Sequence, residues 1–303
     1  ALQQFFDLRQ LQINCTALNE NRVLAKKLSH TLDKRIASIP PTPEHTQHLE
    51  IYTTLAQLLQ AEETDGELFK AYLRLLKDRS EHVQSKELLD LYYYSINYCL
   101  YAINRGQREY ADTLLELYQQ GLDSGSFLLA GELSPWIYKN IVKLGLALRR
   151  YEWTENFITA YIDELPTDFR DDAYHFNLSD LYYHKKDYSK ALELLNKVEF
   201  SDIFYKHGAK IMLLKIFYEK GEMEAFHSLL LSYNILLIRE KKLEKNKIKP
   251  YKKFVQYAAR MAKMQPYEKE RLVKLQAAIK HDKAGGVSDR SWLLEQIAKK
   301  GKL

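Results

Sequence analysis

The sequence predicts an all-α protein built as a stack of helical hairpins, and three observations predict it. Apolar residues recur at helical spacing through most of the 303 residues. Only seven prolines and eleven glycines interrupt the chain, most of them at the edges of the periodic stretches. A self-similar unit recurs through the middle of the chain with a period of about 34 residues. At 46% hydrophobic and 28% charged residues the chain can bury apolar surface and stay in solution, unlike a disordered one. Its length would suggest two globular domains, but a solenoid is not bound by that rule.

In residues 1–91 the pattern predicts helices over 18–36, 49–62 and 68–77, with an elbow at Pro40, Pro41 and Pro43 between the first two. This segment reads as degenerate hairpins or as an N-terminal cap. A helix over 86–102 leads into the repeats.

Residues 92–239 hold four units, 92–125, 135–168, 172–205 and 206–239. The clearest is 172–205. Asn177, Leu178, Ser179 and Tyr182 share one face of its first helix, Asp187 and Tyr188 open the second, and Ala191, Leu195 and Val198 line that helix's inner stripe. Ser179 and Ala191 are small where two crossing helices come nearest. In 206–239, Ala225 repeats Ala191 and Gly221 with Glu222 repeats the turn. Leu213 stands there where a small residue is expected, and Gly208 inside the first helix costs about 1 kcal/mol relative to alanine.

Upstream, 135–168 starts on Pro135, which suits a first helical turn. Asn140 and Tyr151 match Asn177 and Tyr188, and Pro166 ends the unit, while Thr154 replaces the alanine. An alternative alignment on Leu144 and Gly145 shifts this unit by three. The 92–125 unit has Gly106 at its turn, then Ala111, Leu115 and Tyr118. The insertion 126–134, with Gly131, reads as an irregular link or a break in the stack. Residues 240–303 are expected to cap it with helices over 251–264 and 267–281, then Gly285 and Gly286. A last amphipathic helix follows over 288–299, capped by Ser288 or Asp289, with Trp292, Leu293 and Ile297 on its apolar face.

The 172–205 unit resembles a tetratricopeptide repeat. Ser179, Tyr182 and Ala191 occupy that family's slots, whereas His175 stands for its usual Trp and Ile203 for its terminal Pro. The resemblance covers residues 92–239 well and the rest only in character. It implies a right-handed α-α superhelix that acts as a non-enzymatic scaffold, binding a partner peptide or domain on the concave face lined by the first helices. Carried over position by position, that face would include Lys139, Lys143, Phe176, Asp180, Tyr183, His184, Lys210, Leu214 and Tyr218. The family's clamp for a terminal carboxylate needs Lys with Asn. Here Lys139 and Lys143 meet Asp180, which does not suit that ligand.

No phosphate loop, nucleophile elbow or His-Glu-x-x-His helix occurs in the sequence, so neither a catalytic role nor a cofactor is expected. His45 and His48 could share one helix turn as metal ligands, but they read as a solvated helix start, and no metal site is expected. Tyr92, Tyr93, Tyr94, Tyr98 and Tyr101 crowd one helix, either as contact surface for a peptide or as hairpin core. The sharpest charge feature is 239–253, with eight Lys and Arg against two Glu. Lys241, Lys242, Lys245, Lys247, Lys249, Lys252 and Lys253 could contact nucleic acid, and Tyr251 and Phe254 lie near enough to stack on bases. Pro250 is expected to break this stretch. The alternative function is therefore a nucleic-acid-binding solenoid.

Cys15 and Cys99 are too few for a disulfide framework and fit a reducing cytoplasm. No apolar run is long enough to span a bilayer, and the start lacks the pattern of a signal peptide. A chain that begins at Ala1 suits a trimmed chain or one part of a longer protein.

Overall fold

The computed structural model describes residues 2–24, 43–61, 63–79, 85–198, 203–241, 244–282 and 286–302. These residues form fourteen helices and one two-stranded ribbon. The order is α1 Leu2–Leu24, α2 Pro43–Gln60, α3 Gly66–Arg79, α4 Ser85–Asn104, α5 Tyr110–Asp123, β1 Leu128–Leu129, β2 Glu132–Leu133, α6 Pro135–Ala147 and α7 Tyr151–Ala160. It continues with α8 Thr167–His184, α9 Tyr188–Leu195, α10 Ile203–Lys220, α11 Met223–Arg239, α12 Lys245–Lys263, α13 Lys269–His281 and α14 Arg290–Gly301. The protein is all-α. Pro40, Pro41 and the latter part of the helix expected over 18–36 lie outside the described residues. Two compact units divide the chain, residues 1–167 and 168–303, the boundary falling one residue before the end of the predicted 135–168 hairpin.

One turn recurs four times. Gly106, Arg149, Lys186 and Gly221 follow the ends of α4, α6, α8 and α10, each with a left-handed backbone at φ of 97°, 57°, 64° and 77°. Each donates its N–H to the carbonyl three residues back, and the next residue donates to the carbonyl five back: Gln107 to Ala102, Arg150 to Gly145, Asp187 to Tyr182 and Glu222 to Phe217. This pair of hydrogen bonds is the Schellman motif, which satisfies carbonyls that a helix end would otherwise leave bare. The turns lie 37 residues apart from Arg149 to Lys186, in register with the Tyr151 and Tyr188 match. From Lys186 to Gly221 the spacing is 35, one more than the sequence register. The slot of Ala191 therefore falls on Phe226, which is fully buried, while Ala225 is half-buried.

In the first unit, α1 packs on α2 and α4 through Leu11, Cys15, Leu55 and Tyr98, all nearly free of solvent. Tyr92, Tyr94 and Tyr98 belong to this core, with Tyr93 and Tyr101 half-buried. Buried phenols donate to backbone carbonyls, Tyr72 to that of Leu91 at 3.1 Å, Tyr98 to that of Asp65 at 3.2 Å and Tyr138 to that of Ile158 at 2.8 Å.

The segment 126–134 holds an ordered β-hairpin. Ala130 and Gly131 both have positive φ, as a two-residue hairpin loop matching the strand twist requires. Phe127 beside it is fully buried against Tyr92 and Tyr118. Room for that ring exists because residue 121 is glycine: a Cβ there would sit 2.2 Å from Phe127 Cε2.

In the second unit one core runs through α10 to α14, with Phe226, Tyr233, Phe254, Leu275 and Leu293 at its centre. Gly208, a cost when α10 is considered alone, is needed in place: a Cβ there would lie 2.8 Å from the Phe176 ring of α8. Pro250 does not break the basic stretch. It lies inside α12, which continues to Lys263, and its carbonyl accepts from the Ser288 N–H at 3.2 Å.

Candidate functional site

Eight of the nine residues expected on a partner-binding face divide between the two units. Lys139 and Lys143 belong to α6; Lys143 is exposed, and Lys139 is half-buried with its ammonium 5.8 Å from the Trp136 ring. The other six belong to the second unit. Phe176, Asp180 and Tyr183 are buried there, whereas His184, Lys210 and Tyr218 keep part of their surface. Burial of the first three follows from packing within the unit: Phe176 meets the Tyr205 ring at 5.2 Å, and Tyr183 enters a polar cluster. Leu214, also expected on that face, is fully buried.

That cluster is centred on Glu219, the penultimate residue of α10. Its carboxylate accepts from the Tyr183 hydroxyl, the Tyr188 hydroxyl at 2.5 Å, the Lys186 ammonium at 2.7 Å and the Trp292 indole at 2.7 Å. Burial alone would raise its pKa, but these four donors outweigh burial and hold it at about 2. The Tyr183 phenol is pushed far up by its burial and by the carboxylate it serves.

One turn before Glu219, Lys215 lies almost wholly inside the protein. Its ammonium is 2.8 Å from Asp289 Oδ1 and 4.5 Å from the centre of the Tyr183 ring. Burial disfavours its charge, yet Asp289 and Asp180 together keep its pKa above the ordinary value. His184 behaves alike: burial opposes protonation, and Asp180 at 3.3 Å outweighs it. Every charge in the cluster is thus matched by a neighbour. Its chemistry is that of a fastening, in which α14 is tied to α10 by Trp292 and to Lys215 through Asp289 just before the helix.

Nothing in the sequence marks Lys215, Glu219, Asp289 and Trp292 as one group. Lys215 and Glu219 are one helical turn apart, but their partners lie 74 and 73 residues further on. No local spacing encodes that meeting.

Two outward faces of the second unit stand apart from this cluster. On α11, Leu231, Ile235 and Ile238 are 68%, 49% and 67% exposed, at i, i+4 and i+7, a single apolar row with Arg239 and Lys241 exposed at its end. On α12, Lys247 and Lys249 are exposed and Lys252 and Lys253 half-buried, with Lys253 paired to Asp282. Lys242 lies outside the described residues, as do the side chains of Lys245, His45 and His48. Phe254 is fully buried and Tyr251 stacks on His207 at 4.8 Å, so Phe254 presents no face to a base. In the first unit a cleft of about 360 Å³ opens between α1, α2 and α4, where Glu87 accepts from Gln12 at 3.2 Å and Thr16 bonds Tyr94 at 2.9 Å.

Among the described residues no three His, Cys, Asp or Glu side chains converge as a metal-ligand set, and no helix is long and apolar enough to cross a membrane. Compared with known proteins, the chain matches no family model, no curated protein and no solved structure.

Proposed function

We propose that this chain is a non-enzymatic interaction scaffold of the tetratricopeptide-like kind, its hairpins winding a right-handed superhelix that holds a segment of another protein. The observation that carries this reading is the row Leu231, Ile235 and Ile238 on α11. Three large aliphatic side chains at i, i+4 and i+7 left to water are the pattern by which one amphipathic helix seats on another. Arg239 and Lys241 at the end of that row favour a partner helix with acidic residues beside its apolar ridge. Of the residues expected on the first-helix face, His184, Lys210 and Tyr218 are the ones in the second unit with surface left for a partner. Lys139 and Lys143 would serve the same purpose on α6. Two free, buried thiols, Cys15 and Cys99, fit a reducing cytoplasm as the place of action.

The test is affinity capture of the full chain from native lysate, with nuclease, beside a Leu231→Asp, Ile235→Asp variant whose circular dichroism and melting are first shown to be unchanged. The expected result is a protein retained by the parent chain and lost from the variant. An identical protein set on both would remove α11 as the docking face.

A further inference from the structure

Charge is segregated along this chain. Residues 240–303 carry 18 Lys and Arg against seven Asp and Glu, whereas the whole chain carries 45 against 40, so the first 239 residues are net negative. The fold arranges part of this excess in a line. On α12, Lys249, Lys252, Gln256, Arg260 and Lys263 follow one another at steps of three or four residues, so they share one face over about 21 Å at 1.5 Å per residue. All five are exposed except Lys252, which is half-buried. Among the described residues none of the four cations forms an ion pair, in contrast to Lys253 on the flank, which is turned to Asp282.

From this geometry we infer that the outward face of α12 is a phosphate-backbone contact surface for nucleic acid, independent of the apolar row on α11. Three features favour that partner over another protein or a lipid surface. The line is mostly lysine, a residue depleted from protein interfaces, where aromatic anchors and arginine carry the energy. No large apolar side chain is exposed between Lys249 and Lys263 to anchor a protein or enter a bilayer. Four cations on one helix face over about 21 Å suit a polymer that carries a charge at every residue. Phosphate contacts of this kind do not read sequence, and no side chain on the line is placed to read bases.

The experiment is fluorescence anisotropy of the full chain with a labelled, mixed-sequence single-stranded oligonucleotide, over about 50 to 200 mM salt. Four contacts predict a slope of log affinity against log salt near −3, or roughly a fifty-fold loss across that range. Lys252→Glu with Arg260→Glu should abolish binding, while Lys70→Glu with Arg108→Glu, on exposed sites of the first unit, should leave it intact. All are surface changes, and melting curves confirm that each variant is folded. Binding that survives the α12 pair overturns the inference, as does an absence of salt-dependent binding at the lowest salt. Equal affinity for polyglutamate of similar length overturns it too, since that would make the surface a receptor for acidic protein.

Discussion

Trp292 in the last helix donates its indole N–H to the Glu219 carboxylate at 2.7 Å, joining residues 73 positions apart. With Lys215 and Asp289 this contact fastens α14 to α10, alongside the apolar burial of Leu293 and Ile297. A carboxylate with a depressed folded pKa lends stability that is complete above its ordinary value of 4.5 and is lost as pH falls toward 2. The expected contribution is about 3 kcal/mol. Glu219→Gln should lose about that much at pH 7 and flatten the pH dependence of unfolding between 5 and 2, as measured by denaturant titration. An unchanged slope would mean the carboxylate is not the group being titrated.

His207 titrates in the opposite chemical sense with the same outcome. It is fully buried on α10, its Nδ1 3.2 Å from the Tyr233 hydroxyl and its ring stacked on Tyr251. Burial lowers its pKa; Glu240, 3.9 Å away, opposes that shift, and Lys206 adds to it. The neutral ring is the folded form, so stability is full above 6.5 and falls as pH drops below it. Melting temperatures at pH 7.5 and 5.5 should differ less in His207→Phe than in the parent chain. Comparing the two chains cancels His184, whose raised pKa works the other way.

Sequence reading recovered the helices because apolar periodicity is a local property: the segments expected over 49–62, 68–77 and 86–102 appear as α2, α3 and α4. It recovered the turns at Gly106 and Gly221 because glycine marks a left-handed residue. It could not see that Arg149 and Lys186 adopt the same conformation, since neither residue type announces it. The burial of two expected site residues has a related reason. Tyr183 and Phe176 occupy positions that face a groove in the family they resemble, but whether a groove is open depends on what packs over it. Here that is α14 and α10, which lie far along the chain and carry no signal of the encounter.

The four equivalent turns allow a direct exchange. At Gly221, φ of 77° suits glycine, and Gly221→Ala should cost about 1 kcal/mol. At Arg149 the same conformation is held by a residue with a Cβ, so Arg149→Gly should be neutral or stabilising by up to about 1 kcal/mol. Lys186→Gly should not show that gain, because the lysine also pairs with Glu219. Urea midpoints of the three variants test the ordering.

Cys15 and Cys99 are both inaccessible, and burial pushes each thiol up to about 12. A thiol reagent added to the native chain at pH 8 should label neither at an appreciable rate, because only the thiolate reacts. Labelling should become fast in denaturant, making the two thiols reporters of unfolding in residues 1–167. Rapid native labelling of Cys15 would show that α1 opens from α2.

The closest approach of α6 and α7 rests on Gly145, where a Cβ would meet Thr154 Oγ1 at 2.3 Å. Thr154 is itself fixed, its hydroxyl donating to the Arg150 carbonyl at 2.8 Å, so it cannot rotate away without losing that bond. Gly145→Ala should therefore destabilise by about 1 to 3 kcal/mol despite the better helix propensity of alanine. In a Thr154→Ala background the hydroxyl is gone and the two methyl groups can be accommodated with little shift. The double variant should then be at least about 1 kcal/mol more stable than the sum of the single changes predicts. Simple additivity in a denaturation cycle would mean that the two helices sit further apart than this contact requires.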